Sequence, residues 1–147
     1  MIQTLKVGDL YSRQDVHDIF DHKSPFRPGT GTWGIQGIVK IPASKADFAF
    51  FVTFGQSQSN HIFDETISDG ILTWQSQPKQ KLGDPVIQDL INHNHLVNKI
   101  YLFLRDKKLD PMTRKAMPFT YLGRLAYISH NEKLEQPVHF KWKIINS

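Results

Sequence analysis

The chain of 147 residues is long enough for one domain with a sizeable core, and its 39% hydrophobic and 22% charged residues are ordinary for a globular protein. It contains no cysteine, which excludes disulfides and thiolate metal sites. No segment approaches the roughly 18 apolar residues of a membrane span, and the start lacks the basic-then-apolar order of a signal peptide. We therefore expect a cytoplasmic protein without membrane contact.

The net charge of +4 is distributed unevenly along the chain. Residues 1–98 contain eight Lys and Arg against ten Asp and Glu, a net charge of −2, whereas residues 99–147 contain ten against four, a net charge of +6. The basic second part is a candidate contact surface for a polyanion such as nucleic acid. A basic surface that only favours solubility is the alternative that charge alone leaves open.

The first part of the chain predicts one helix and three strands. Ser12 is a suitable N-cap for a helix over 12–20, whose apolar residues fall on one face. A loop with two prolines and three glycines follows over 21–34. The apolar and β-branched patterns predict strands over 35–41, 47–54 and 71–76, with a polar, irregular stretch over 56–70.

The second part predicts another helix and three more strands. Asp84 suits an N-cap and Pro85 the first turn of a helix over 84–95. The remaining elements are a strand, a basic hairpin arm and two further strands, over 99–105, 106–117, 118–129 and 137–145. The whole pattern predicts a single α+β domain over 1–147, a mostly antiparallel curved sheet or small barrel with about two flanking helices.

The stretch at 29–34 has the letters of a dinucleotide-binding loop, GTGTWG. A strand is predicted after it, where the dinucleotide fold requires a helix, so nucleotide binding is not indicated. Glycine permits close approach of a ligand, and we expect Arg27, Thr32 and Trp33 to contact a phosphate backbone. A flexible loop without a ligand is the alternative.

Neither a metal site, a cofactor nor a catalytic site is predicted. His93 and His95 would point to different sides of a helix, and no H-E-x-x-H motif occurs. Asp106 precedes two lysines at the end of a predicted strand, as in some nucleases, but no second carboxylate converges on it. A hairpin turn explains Asp106 equally well.

The most specific pattern is WQSQ, at 74–77, the end of a predicted half-buried strand. Glutamine amides can pair with two atoms of a base edge, so Gln75, Ser76 and Gln77 are candidate DNA contacts. Lys79 and Lys81 follow and suit phosphates. A strand with a core tryptophan and a polar loop is the alternative.

The residues before this strand suit an extruded base. An aromatic ring can stack on such a base while a neighbouring carboxylate accepts a hydrogen bond from its exocyclic amine. Phe63 and Asp64, opposite Trp74, have this chemistry. The alternative is that the acidic residues over 63–70 form a turn, since Asp69-Gly70 is a typical hairpin pair.

Five stretches, in this order over about 5–145, resemble an uncharacterised domain of bacterial defence and restriction proteins: KVGDLYSRQDVHDIF, FVTF, FDETISDGILTWQSQPKQKLGD, IYLFLRDKK and PFTYLGRLAYIS. That domain stands at the C-terminus of many superfamily II helicases, including modification-dependent (type IV) restriction enzymes with a phospholipase-D-like nuclease. A similar domain precedes HNH nucleases.

The resemblance implies a module that recognises double-stranded DNA with 5-methylcytosine or 5-hydroxymethylcytosine, through an SRA-like or PUA-like barrel and base flipping. Nuclease and helicase activities then belong to other domains or chains, and this chain is not an enzyme. A reader of unmodified sequence or of another mark, and a docking module for a nuclease or helicase, are the alternatives.

The resemblance adds Tyr11, Arg13 and Arg105 to the candidate contacts, and the basic arm adds two lysines. The expected DNA-binding residues are Tyr11, Arg13, Arg27, Thr32, Trp33, Gln75, Ser76, Gln77, Lys79, Lys81, Arg105, Lys107 and Lys108, around a base pocket of Phe63, Asp64 and Trp74.

Overall fold

The computed structural model describes residues 5–54, 57–58, 61–62 and 66–145. The helices are α1 (Arg13–Phe20), α2 (Gly31–Ile35) and α3 (Pro85–Ile91). The strands are β1 (Leu10–Tyr11), β2 (Ile38–Lys40), β3 (Phe48–Thr53), β4 (Ser57–Gln58), β5 (His61–Ile62), β6 (Thr66–Ser68), β7 (Ile71–Gln75), β8 (Ile100–Arg105), β9 (Phe119–His130) and β10 (His139–Ile145). In the described part of the chain, none of these helices has the length and apolar character needed to cross a membrane.

Eight strands form one open sheet in the order β2-β3-β8-β9-β10-β7-β6, with β1 paired to β9 outside this path. Neighbouring strands are antiparallel, except that β3 and β8 are parallel. β4 and β5 form a separate two-stranded antiparallel sheet. The prediction of a mostly antiparallel curved sheet in an α+β fold is confirmed.

The sheet is strongly curved. β9 pairs irregularly with both neighbours, with register shifts at Leu102/Phe103 of β8 and at Lys141/Trp142 of β10. Such irregularities bend strands and increase their twist. As a result Trp74 of β7 stacks on Phe50 of β3, 4.7 Å between ring centroids, although three strands separate β3 from β7 in the sheet order.

The core lies on both faces of the sheet. β3 is buried at all six positions, and its residues alternate between two hydrophobic clusters, as the period of a strand requires. Phe50 belongs to the larger cluster, against which α3 packs. Phe51 belongs to the other, which includes residues of α1 and α2. Burial on both faces explains why β3 reads as a continuous apolar run.

The predicted helix starts agree with the structure. Ser12 and Asp15 form a capping box at α1, since Asp15 N donates to Ser12 Oγ at 3.0 Å and Ser12 N to Asp15 Oδ2 at 2.8 Å. α3 begins at Pro85 as predicted, but it ends at Ile91, earlier than the predicted 95. Asn92 ends it, because its side chain donates to the Gln88 carbonyl at 2.9 Å.

Two predictions of local structure were wrong. The predicted loop over 21–34 ends in the short helix α2, so the next strand starts at Ile38 and not at 35. The predicted irregular stretch over 56–70 contains β6, which forms a hairpin with β7. Asp69 and Gly70 make that two-residue turn, with φ of 54° and 75°.

Leu102→Ala tests the central packing. Leu102 of β8 is fully buried in the larger cluster, so we expect the substitution to lower the free energy of unfolding by about 2–5 kcal/mol. Leu96→Ala is the matched control, because that leucine is 82% exposed and the expected change is within about 0.5 kcal/mol. Urea unfolding followed by circular dichroism measures both; equal losses would contradict the assignment of the core.

Candidate functional site: a cationic cavity at the ends of three strands

A cavity of about 810 Å³ lies where β3, β7 and β8 end on the curved sheet. Thr53, Gln75 and Arg105 line it from these three strand ends. The start of α1, the end of α2 and the basic arm between β8 and β9 form its other walls. Its volume lies within the roughly 300–1,000 Å³ that small-ligand sites occupy, so it can hold a group as large as a nucleotide.

Arg13 forms part of the floor and holds α2 in place. Its Nη1 donates to the carbonyl oxygens of Trp33 at 3.2 Å and Gln36 at 2.8 Å, and its Nη2 donates to the carbonyl of Ile35 at 3.3 Å. These bonds satisfy carbonyls at the end of a helix too short to satisfy them itself. The guanidinium lies 4.5 Å from the ring centroid of Phe51, a cation–π contact.

Arg105 approaches the same place from the end of β8. Its Nε donates to Thr53 Oγ1 at 2.8 Å, and its Nη1 donates to the Met117 carbonyl at 3.1 Å. The guanidinium lies 4.2 Å from the ring centroid of Phe119, and that of Arg13 lies 5.5 Å from the same centroid. Both guanidiniums therefore lie over one aromatic ring, and the charge of Arg105 acts on Arg13.

The cavity is electropositive. Burial, and then the charge of Arg105, lower the pKa of Arg13 to about 10, and burial also lowers the pKa of Arg105. Lys108 is the third basic residue in the wall, and no Asp or Glu occurs among the described lining residues. With three basic side chains and no carboxylate among its described lining residues, the site favours anionic or acceptor-rich ligands.

Amide side chains supply most of the remaining polarity. Gln77 and Gln80 stabilise the loop after β7, because Gln77 N donates to Gln80 Oε1 at 2.8 Å. A Cβ added at Gly37 would lie 3.2 Å from Gln77 Nε2, which shows how closely the segment after α2 approaches the end of β7. Five glutamines line the cavity: Gln14, Gln36, Gln75, Gln77 and Gln80.

Gly34 allows this wall to form. A Cβ at its position would lie 2.1 Å from the Arg27 carbonyl oxygen, so only glycine fits against this backbone. The close approach explains why the glycine-rich loop folds into a compact turn of helix and not into the open loop that the sequence predicted.

The structure brings six of the predicted contacts together at the cavity: Arg13, Trp74, Gln75, Gln77, Arg105 and Lys108. Trp74 is only 4% exposed, since one of its faces stacks on Phe50. Its part in holding a base stays a prediction. Phe63 and Asp64, the other two predicted pocket residues, lie outside the described residues.

Three predicted contacts lie inside the protein. Tyr11 accepts a hydrogen bond from Lys6 N, and Trp33 Nε1 donates to Asp21 Oδ2 at 2.9 Å. Ser76 is fully buried and accepts from Val138 N at 2.9 Å through its hydroxyl. These bonds give all three a structural role, and direct contact with DNA stays a prediction.

The other predicted contacts are exposed on the surface: Arg27, Thr32, Lys79, Lys81 and Lys107. Arg27 and Thr32 line a second hollow of about 550 Å³, whose lining shares Phe26 and Gly34 with that of the first cavity. Arg27 and Thr32 thus adjoin the first cavity, and contact of these five residues with phosphate stays a prediction.

Sequence reasoning missed the aromatic rings beneath the arginines and three of the five glutamines, Gln14, Gln36 and Gln80. Phe51 and Phe119 belong to apolar strand patterns that predict only core, and Gln80 lies in a polar loop without a motif. Phe51 of β3 and Phe119, the first residue of β9, enter the site through strand pairing, which the local sequence does not encode.

No group of three or more His, Asp or Glu side chains in the described ranges is arranged to hold a metal ion. His93, one of the two histidines weighed as ligands, is buried and its Nε2 bonds the Ala46 carbonyl at 2.9 Å. Burial lowers the pKa of His93 despite this bond.

Ser76→Ala tests whether the serine of the WQSQ pattern stabilises the folded domain. The substitution removes the acceptor for the buried Val138 amide, so we expect the free energy of unfolding to fall by about 1–3 kcal/mol. Ser129→Ala, at an exposed position of β9, is the control, with an expected change within about 0.5 kcal/mol. Thermal and urea unfolding measure both variants. An unchanged stability of Ser76→Ala would contradict a structural role for this serine.

No curated protein matches the chain in sequence. Among solved structures, the SUVH5 SRA–methylated CHH DNA complex matches with a TM-score of 0.61 at 15% identity, covering 100% of this chain and 93% of that one. SUVH5 SRA bound to fully hydroxymethylated CG DNA matches with a TM-score of 0.62 at 14% identity, covering 100% and 93%.

The modification-dependent TagI restriction endonuclease also matches, with a TM-score of 0.58 at 14% identity, covering 100% of this chain and 52% of that chain. At these identities the likeness shows a shared fold, which is SRA-like. A family model described as "Domain of unknown function (DUF3427)" matches residues 5–147. Because that match spans nearly the whole chain, the protein belongs to the DUF3427 family.

Proposed function

We propose that this domain is the specificity module of a restriction system and reads modified cytosine, 5-methyl or 5-hydroxymethyl, in double-stranded DNA. The fold is shared with SUVH5 SRA structures described as complexes with methylated and hydroxymethylated DNA, and with a modification-dependent restriction endonuclease. Cleavage and DNA translocation then belong to nuclease and helicase domains in cis or in trans, and the domain itself acts in the cytoplasm without catalysis.

The cavity carries this proposal. It combines the volume for a nucleotide with cationic, amide and aromatic walls. An enzyme or reader that needs access to one base extrudes it from the stack and recognises its edge by hydrogen bonds. In our proposal the extruded cytosine enters this cavity, and amides such as Gln75 and Gln77 meet its edge.

The basic arm between β8 and β9 supports contact with the duplex. Lys107 and Lys108 are exposed at its start, and Lys108 also lines the cavity. Arg114 and Lys115 are exposed near its tip. Phosphate contacts of this kind position a protein on DNA without reading sequence, and they make its affinity dependent on salt.

Binding to one duplex sequence in unmodified, 5-methylcytosine and 5-hydroxymethylcytosine forms is the direct test. We expect a modified form to bind at least about tenfold more tightly, about 1.4 kcal/mol, with a strong decrease of affinity at higher salt. Fluorescence anisotropy across many sequence contexts measures this. Tight binding that ignores the modification would indicate a reader of unmodified sequence, and no binding would indicate a docking module.

Base flipping has its own test. With a fluorescent base analogue next to the modified cytosine, we expect fluorescence to rise on binding, because extrusion disrupts stacking. The same analogue placed several base pairs away is the control and should not respond. A signal that stays quenched at both positions, with binding intact, would show recognition of a stacked base.

A further inference from the structure

Two arginines over one aromatic ring of the cavity have no anionic partner among the described residues. Arg13 and Arg105 lie over the same ring, Phe119, at 5.5 and 4.2 Å from its centroid. All their hydrogen bonds within the described part of the chain go to uncharged oxygens, four carbonyls and the Thr53 hydroxyl. Among the described residues neither forms an ion pair, and no carboxylate lines the cavity.

This arrangement has an electrostatic cost. Two like charges in a partly buried site repel each other, and the fall in the pKa of Arg13 to about 10 reflects both burial and the charge of Arg105. Neutral hydrogen-bond acceptors reduce the desolvation cost but leave the net charge uncompensated. A bound anion would remove the repulsion, as a planar guanidinium pairs well with a carboxylate or phosphate.

Donor capacity remains for such a ligand. Arg13 Nε and Arg105 Nη2 make no hydrogen bond among the described residues, although the other nitrogens of both groups do. The bonded nitrogens hold the two guanidiniums in place beside Phe51 and Phe119. A preorganised pair loses little conformational entropy when an anion binds.

We propose that Arg13 and Arg105 form an oxyanion-binding site inside the cavity, which receives an anionic group of the bound nucleotide. The inference rests on the proposed entry of an extruded nucleotide into this cavity. A carboxyl group on the base, as in 5-carboxylcytosine, and the phosphate adjoining the extruded nucleotide present the same chemistry. A methyl substituent gains nothing from two guanidiniums, so the pair adds a preference among modified bases if the anion it holds is the base carboxyl group, and raises affinity for every duplex if the anion is the phosphate.

Free nucleotides test the site without DNA. We expect the full chain to bind deoxycytidine 5′-monophosphate at least about tenfold more tightly than deoxycytidine, a difference measured by NMR titration. Arg105→Gln and Arg13→Gln should remove that difference. Arg105→Lys keeps the charge without the planar fork and should retain part of it.

Lys99→Gln is the matched control for loss of one positive charge. Lys99 is exposed immediately before β8, about 20 Å from Arg105 at roughly 3.3 Å per residue. The Lys99→Gln variant should bind the monophosphate and the nucleoside as the wild type does. Melting temperatures of all variants separate loss of the site from loss of the fold, since Arg13 and Arg105 also support neighbouring segments.

The affinities for modified duplexes distinguish a base carboxylate from a phosphate as the bound anion. If the pair holds a base carboxylate, the wild type prefers 5-carboxylcytosine over 5-methylcytosine by at least about tenfold, and Arg105→Gln abolishes the preference. If it holds a phosphate, Arg105→Gln weakens all duplexes equally. A neutral methylphosphonate beside the modified cytosine then weakens binding by the wild type and has no further effect on the variant.

The inference is overturned if the wild type shows no preference for the monophosphate and both glutamine variants, folded as the wild type, bind every duplex unchanged. The outcome for the proposed function is separate. A chain that ignores cytosine modification but prefers the monophosphate through Arg13 and Arg105 would keep the oxyanion site and lose the proposed reader function.

Discussion

The stack of Trp74 on Phe50 closes the curve of the sheet, and the cavity depends on that closure. β3 and β7 are far apart in the sheet order, yet this contact brings their C-terminal ends to one place. Trp142 packs edge-on against both rings, so three aromatic side chains define the curvature. Two strands separate β8 from β7 in the sheet order, so the curvature is what brings Gln75 and Arg105 to one cavity.

The second constraint is the contact between Arg13 and α2. A helix of five residues cannot satisfy its own terminal carbonyls, and the side chain from α1 satisfies them. The same guanidinium lines the cavity. Arg13 therefore both supports the fold and lines the proposed ligand site. A loss of binding in an Arg13 variant must be compared with the stability of that variant.

Local signals in the sequence gave correct results where short-range chemistry decides the structure. Ser12 with Asp15 forms a capping box, Pro85 starts α3, and Phe140 and Trp142 alternate into the core as the last strand predicts. The roles of the aromatic residues were harder to predict, because the local sequence around Trp33 and Trp74 is the same whether the ring binds a ligand or packs in the core. In the structure both are buried, and Trp74 has an edge at the cavity.

The sequence by itself determined the mostly antiparallel α+β fold, the basic character of residues 99–147 and the polar end of β7, since composition, periodicity and capping are local properties. Only the tertiary structure decided which of these polar residues share a site. Arg13 and Arg105 are 92 positions apart, and the packing of α1 on the sheet together with the pairing of β3 and β8 places them beside Phe51 and Phe119. Register and curvature arise from packing between distant segments, and no local pattern encodes them.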